Sequence, residues 1–161
     1  MRREMKDFGQ LGILGNECVA LQRIFEAQGF SFGAPSFSQE EGRPHLADAH
    51  LSTSTFSKSR AVCVTVGVRI VGEGMVRSSF VGEVSICDLN RPSQNRITFT
   101  ETADGWEATI CRQEGAPEWF SMLIEILKRI FGKVEERCPI DDINIALGVM
   151  ARAINRQESS E

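Results

Sequence analysis

The chain has 161 residues, 42% hydrophobic and 25% charged, with 18 basic against 22 acidic side chains and a net charge of −4. That length fits one domain able to bury a core without covalent staples, and the acidic balance disfavours nucleic acid as a main partner, because phosphate binding needs a positive field. No apolar run approaches the ~18 residues of a membrane span, and no sustained apolar core follows Met1-Arg2-Arg3-Glu4-Met5-Lys6, so neither membrane insertion nor a signal peptide is expected.

Residues 1–17, with glycines at 9, 12 and 15, read as a flexible N-terminal arm anchored by Leu11, Ile13 and Leu14. Residues 18–156 read as one domain and 157–161 as a disordered tail. Residues 18–29, CVALQRIFEAQG, allow two readings. Cys18, Leu21, Ile24 and Phe25 are helix-spaced, with Gly29 as a stop. Alternatively a strand runs on through Phe30 and Phe32 to the breaker at Gly33-Ala34-Pro35. Residues 36–44 are polar and read as a loop. Residues 45–56 alternate weakly and suit an edge strand.

The strongest pattern is AVCVTVGVRIV, residues 61–71, where Val62, Val64, Val66, Val68 and Ile70 fall on one face at period two. Residues 79–87 make the next strand, with Phe80, Val84 and Ile86 on one face and Val81, Glu83 and Ser85 on the other. Such alternation fits an antiparallel sheet with one buried face. Residues 96–111 read as a hairpin turning at Asp104-Gly105. The period then changes. From Glu118 to Glu136, Trp119, Met122, Leu123, Ile126, Leu127, Ile130 and Val134 keep helical spacing, and Phe120, Ile124 and Phe131 widen the stripe beyond what one sheet face needs. Pro139 should end that helix. Asp141 is expected to cap a second one, with Ile140 and Ile145 as a staple and Ile143, Leu147, Met150 and Ile154 buried. Strands first and helices last give an α+β domain: a four-stranded antiparallel meander, a possible extra hairpin, and two C-terminal helices.

Chemistry-bearing motifs are sparse. The five cysteines, at 18, 63, 87, 111 and 138, are odd in number and lack metal-binding spacing. They read as reduced thiols packed as small hydrophobes in a cytoplasmic protein. His45, Asp48 and His50 are the one metal-like cluster, but on a strand the odd spacing sends the two histidines to opposite faces. No nucleophile elbow, P-loop or GxGxxG is present. Nothing assembles an acid, a base and an anion-stabilising group, so neither an enzyme nor a cofactor is expected.

LQRIFEAQGFSFGAP, residues 21–35, resembles the first strand of SecB-type export chaperones, which closes in a Ser-Phe-x-x-Pro signature, here Ser31 to Pro35. RPHLADAHLSTSTF, RAVCVTVGVRIVGEG and SSFVGEVSI are similar in order and spacing to that family's second, third and fourth strands. The resemblance covers residues 19–88 by pattern and 117–156 by architecture; the hairpin at 96–111 departs from it. It implies a homo-oligomer, dimer or tetramer, that holds unfolded or partly folded client protein in apolar grooves between sheet and helices. On that basis Phe25, Phe30, Phe32, Trp119, Phe120 and Leu123 are the expected peptide-binding residues. Val81 and Glu83 sit where the family's fourth strand docks on the translocation motor. The first-strand acids are replaced, by Gly33 and by Gln28 or Gly29, which leaves motor docking open and points to a dedicated chaperone for one client. Two alternatives stand beside this expectation. One is an adaptor binding a single folded partner. The other is a small enzyme or ligand-binding domain whose pocket uses His45, His50, Glu83 or Trp106.

Overall fold

Among the described residues, seven strands pair strictly in chain order in one antiparallel sheet, and three helices share a core with one of its faces. The computed structural model describes residues 15–38, 50–57, 62–73, 77–102, 104–132, 134 and 137–159. Helix α1 covers residues 15–26. Strands β1 (Ser36–Ser38), β2 (His50–Ser57), β3 (Val62–Glu73), β4 (Arg77–Asp88), β5 (Arg96–Thr102) and β6 (Gly105–Cys111) follow. Helix α2 (Glu118–Phe131), strand β7 (Arg137–Ile140) and helix α3 (Ile143–Ser159) complete the order. No helix among the described residues is long and apolar enough to cross a membrane.

The sheet is the two-faced one that the alternation requires. Val62, Val64, Val66 and Val68 of β3 are buried, as are Val84 and Ile86 of β4, Ile97 and Phe99 of β5, and Ala108 of β6. The register aligns them in rows: Val66 lies opposite Val84, and Val84 opposite Phe99, which faces Ala108. Burying branched side chains of this size contributes ~1.5–3 kcal/mol each. Gly82 belongs to this inner face because a Cβ there would sit 2.9 Å from Cη2 of Trp106, whose ring crosses the strand. Ile70 and Phe80 belong to strands, but their side chains lie outside the described set.

The α+β class and the antiparallel sheet match the sequence reading; the counts do not. The 96–111 hairpin is part of the main sheet, paired through β5 with β4. Residues 36–38, expected in a loop, pair with β2 as a short strand. The long C-terminal helix stops at Gly132, whose φ of 76° suits a residue without a Cβ. Pro139 therefore ends no helix: it lies in β7, beside Glu107 of β6. Proline fits there because, among the described residues, β7 is an edge strand with one paired side.

Helix α2 buries Trp119, Phe120, Leu123, Ile124 and Leu127. The buried stripe is rotated from the expected one, since Met122 and Ile126 are half-buried and Ile130 is exposed. Asp142, not Asp141, caps α3, accepting the Ile145 N–H at Oδ1 (3.2 Å). That shift of one residue turns Ile145 outward, 54% exposed, so it forms no staple with buried Ile140. Ile143, Leu147, Met150 and Ile154 are buried as expected.

Candidate functional site

The segment that carries the family resemblance is a helix followed by a stop, not a strand. Cys18, Leu21 and Phe25 of α1 are buried at helical spacing, and Gln22 donates to Glu26 one turn on (2.7 Å). The helix ends in a Schellman arrangement. The Phe30 N–H reaches the Phe25 carbonyl (3.1 Å), the Gly29 N–H reaches that of Glu26 (3.0 Å), and Gly29 has φ 98°. Such a stop is usually sealed by an apolar contact between the first and last residues of the bonded loop. Here that contact is aromatic. The Phe25 and Phe30 rings meet edge-on at 5.8 Å, and Phe32 meets Phe25 at 6.3 Å. Asn155 of α3 donates to the Gln28 carbonyl, which ties this corner to the last helix.

That packing places the residues expected to bind peptide. Phe25, Phe120 and Leu123 are no more than 1% exposed and Trp119 is 8% exposed, so these four are core. Trp119 and Phe120 stack edge-on against each other at 5.6 Å. Phe30 and Phe32 are half-buried and packed against the same core. All six therefore contribute to or pack against the core of this chain. Val81 and Glu83 do lie together on the outer face of β4, half-exposed, and Glu83 Oε1 pairs with Arg69 Nη2 across the strands at 3.1 Å. His45 and Asp48 lie outside the described residues. Among the described residues no cluster of three potential metal ligands occurs.

The structure brings together a different surface. Strand β2 pairs with β3 along all eight of its residues, but with β1 only over residues 50–52. Among the described residues, the far edge of 53–57 therefore has no partner strand. Thr53 Oγ1 donates to the Gly33 carbonyl at 3.0 Å, which holds the extended segment before β1 beside the start of that edge. Two large apolar side chains flank it: Phe37 of β1, 46% exposed, and Phe56 of β2, 60% exposed. An unpaired strand edge presents backbone donors and acceptors to any extended chain that reaches it.

On the outer face the register lines up Phe56, Cys63, Cys87, Arg96 and Cys111 across five successive strands. The next row is Ser54, Thr65, Ser85, Thr98 and Thr109. Cys63, Cys87 and Cys111 are thus not core hydrophobes; only Cys18 and Cys138 are buried. The Cys63 thiol is lowered to about 6, chiefly because the Cys87 thiol donates to it, with help from the Thr65 and Ser54 hydroxyls against the opposing effect of burial. Giving that hydrogen bond pushes the Cys87 thiol up, and burial adds to the rise. Cys18 is raised by burial alone.

A third feature is an open cleft of about 580 Å3 between the C-terminal half of α2 and the end of β6. Ile110, Ile124 and Val134 form its apolar wall, with Gln94, Cys111, Arg112, Gln113 and Lys128 around them. Lys128 is engaged with Glu125 at 3.4 Å. The nearby β4–β5 turn is self-satisfied. Buried Asp88 accepts from the Asn90 N–H and the Asn95 amide, and Asn95 Oδ1 accepts from the Gln113 N–H. No family model, curated protein or solved structure matches this chain.

Sequence reasoning missed the β2 edge because residues 36–38 look like a polar loop. It missed the thiol row because register between strands 24 residues apart is not written in either strand alone. The one available signal for the helix stop was Gly29 after a helix-spaced apolar set.

Proposed function

We propose that the chain is a non-catalytic polypeptide-binding protein, a SecB-like chaperone that holds an extended segment of a non-native client as an added strand on the edge of β2. One observation carries this reading: β2 is eight residues long, pairs fully on one side, and is bounded on the other by three paired residues and two exposed phenylalanines. Backbone hydrogen bonds to such an edge are indifferent to client sequence, while Phe37 and Phe56 give apolar anchor points. The family resemblance on the strands around it agrees in kind. The locus differs, because the aromatic residues that would line the family's groove are used here to stop and dock α1.

The shortness of the open edge, residues 53–57, favours a second reading, an adaptor that takes one partner segment, over a holdase with long grooves. A peptide array covering unrelated unfolded proteins separates them. A chaperone retains many peptides rich in apolar and β-branched residues; an adaptor retains one short family. In either case Phe56→Ser should weaken retention by about tenfold, as expected for losing one anchoring aromatic. Ser54→Pro should do the same: alternation along the paired strands turns the Ser54 N–H to the far edge, so proline there removes an edge donor and blocks strand addition while leaving the β3 ladder intact. Retention unchanged in both variants would refute edge binding. A mass in solution of two or four chains, lost with Ser54→Pro while peptide retention is unaffected, would mean that the edge serves a second copy instead.

A further inference from the structure

We propose that Cys63 and Cys87 form a redox-active dithiol on the outer face of the sheet, which captures a low-molecular-weight disulfide and closes into a cross-strand disulfide. This inference stands apart from the polypeptide-binding reading. The two residues are direct partners in the β3–β4 register, within the longest pairing of the sheet, twelve residues on each strand. Direct antiparallel partners hold their Cα atoms ~4.5–5.5 Å apart, inside the ~4.4–6.8 Å window that a disulfide spans. Both side chains emerge on the same, solvent-facing side, half-exposed, so an attacking reagent has access.

The surroundings assign the roles. Cys63 Sγ lies 3.7 Å from Thr65 Oγ1, which is itself 2.8 Å from Ser54 Oγ, so a short hydroxyl relay runs up to that sulfur. Cys87 donates to the same sulfur from the facing strand, which favours the thiolate on Cys63 and the thiol on Cys87. Among the described residues the charged groups bearing on the pair are Arg96 and Asp88. Arg96 is the next member of the outer row and opposes the rise at Cys87; Asp88 is buried on the inner side and adds to it. Cys63 is therefore the nucleophile and Cys87 the resolving thiol.

The exchange balances without a further reactant. The Cys63 thiolate attacks one sulfur of the small disulfide; that S–S bond breaks and one thiolate leaves, taking a proton from solvent. Cys87 then gives up its proton, its sulfur attacks Cys63 Sγ, and the second small thiolate departs. Two protein thiols are oxidised by two electrons, and one disulfide is reduced to two thiols. A bridge at such an exposed cross-strand position belongs to the labile, readily reduced class.

The test uses the reduced full-length chain, oxidised glutathione as the reagent, acid quenching, alkylation and peptide mapping. The expected product is a peptide pair linked through Cys63 and Cys87, reversed by reduced glutathione. Cys87→Ser should stop the reaction at one glutathione on Cys63, and Cys111→Ser should leave the linked product unchanged. At pH 6.5 a thiol titrating near 6 is mostly ionised, against about one per cent of an ordinary thiol. The lower nucleophilicity of a more acidic thiol takes back most of that gain, leaving Cys63 about fivefold faster than an ordinary thiol at pH 6.5. Absence of the linked peptide, with glutathione found on Cys111 alone, would overturn the proposal. So would a Cys63 reactivity that rises only above pH 8. Because the linked peptide is read on the unmodified chain, a variant that folds poorly does not obscure the result.

Discussion

The two faces of the sheet are built from the same strands and differ in almost every property. On the inner face β3, β4 and β5 present Val62, Val64, Val66, Val68, Val84, Ile86, Ile97 and Phe99, each no more than 1% exposed. One residue further along each strand, the outer face presents Cys63, Thr65, Val81, Glu83, Ser85, Cys87 and Thr98, all half-exposed. A residue on the inner face is constrained by the volume around it, because removing atoms there leaves a cavity. A residue on the outer face meets water and its row neighbours, so its identity is free to serve chemistry or contact. The thiol pair and the exposed Phe56 lie on the unconstrained side, and the Arg69–Glu83 ion pair across β3 and β4 lies there too.

The sharpest way to break this contrast is to cut into the inner face. Phe99→Ala should lower the unfolding free energy by ~3–5 kcal/mol, the range for a fully enclosed aromatic, measured by urea denaturation. A loss under ~1 kcal/mol would mean that the core is not packed as described. Next in size, Gly82→Ala should cost ~1–3 kcal/mol, the usual penalty of overpacking. The new methyl meets the rigid indole of Trp106, which cannot swing away as a flexible chain end would. A double variant with Trp106→Leu should recover part of that loss.

The outer face should respond weakly. Arg69→Ala removes the Glu83 ion pair and should cost at most ~1 kcal/mol, less in high salt, because both partners are partly solvated. Thr98→Val, smallest of all, should stay within ~0.5 kcal/mol of the parent. Thr98→Glu sharpens the comparison further. It should leave a solvent-facing surface intact, but should dissociate any assembly in which this face is covered, seen as a fall in mass in solution.

Much of this contrast was legible in the chain. The run from Val62 to Val68 identifies its own buried face because a strand has period two and the valines occupy every second position. The hairpin over 96–111 was equally plain, but Gly105, expected in the turn, pairs with Thr102 as the first residue of β6, with φ 121°. The candidate site was far less legible. Residues 18–32 carry aromatic residues compatible with either period, and they settle as a helix with a sealed stop only because Phe25, Phe30 and Phe32 find one another and the core. The buried stripe of α2 was read one position off, favouring Met122 and Ile126 over Phe120 and Ile124, because spacing alone does not say which side of a broad apolar stripe meets the sheet.

The sequence by itself determined the class of fold, the two-faced character of β3 to β6, and the buried positions of α3, all properties of local periodicity. Only the tertiary structure decided that α1 is a helix, that β7 closes the sheet, that Cys63 meets Cys87, and that, among the described residues, the 53–57 edge of β2 has no partner strand. The physical reason is that these depend on register and contact between segments distant in the chain. The free energy that fixes such contacts comes from burial shared by both partners, and neither segment carries it alone.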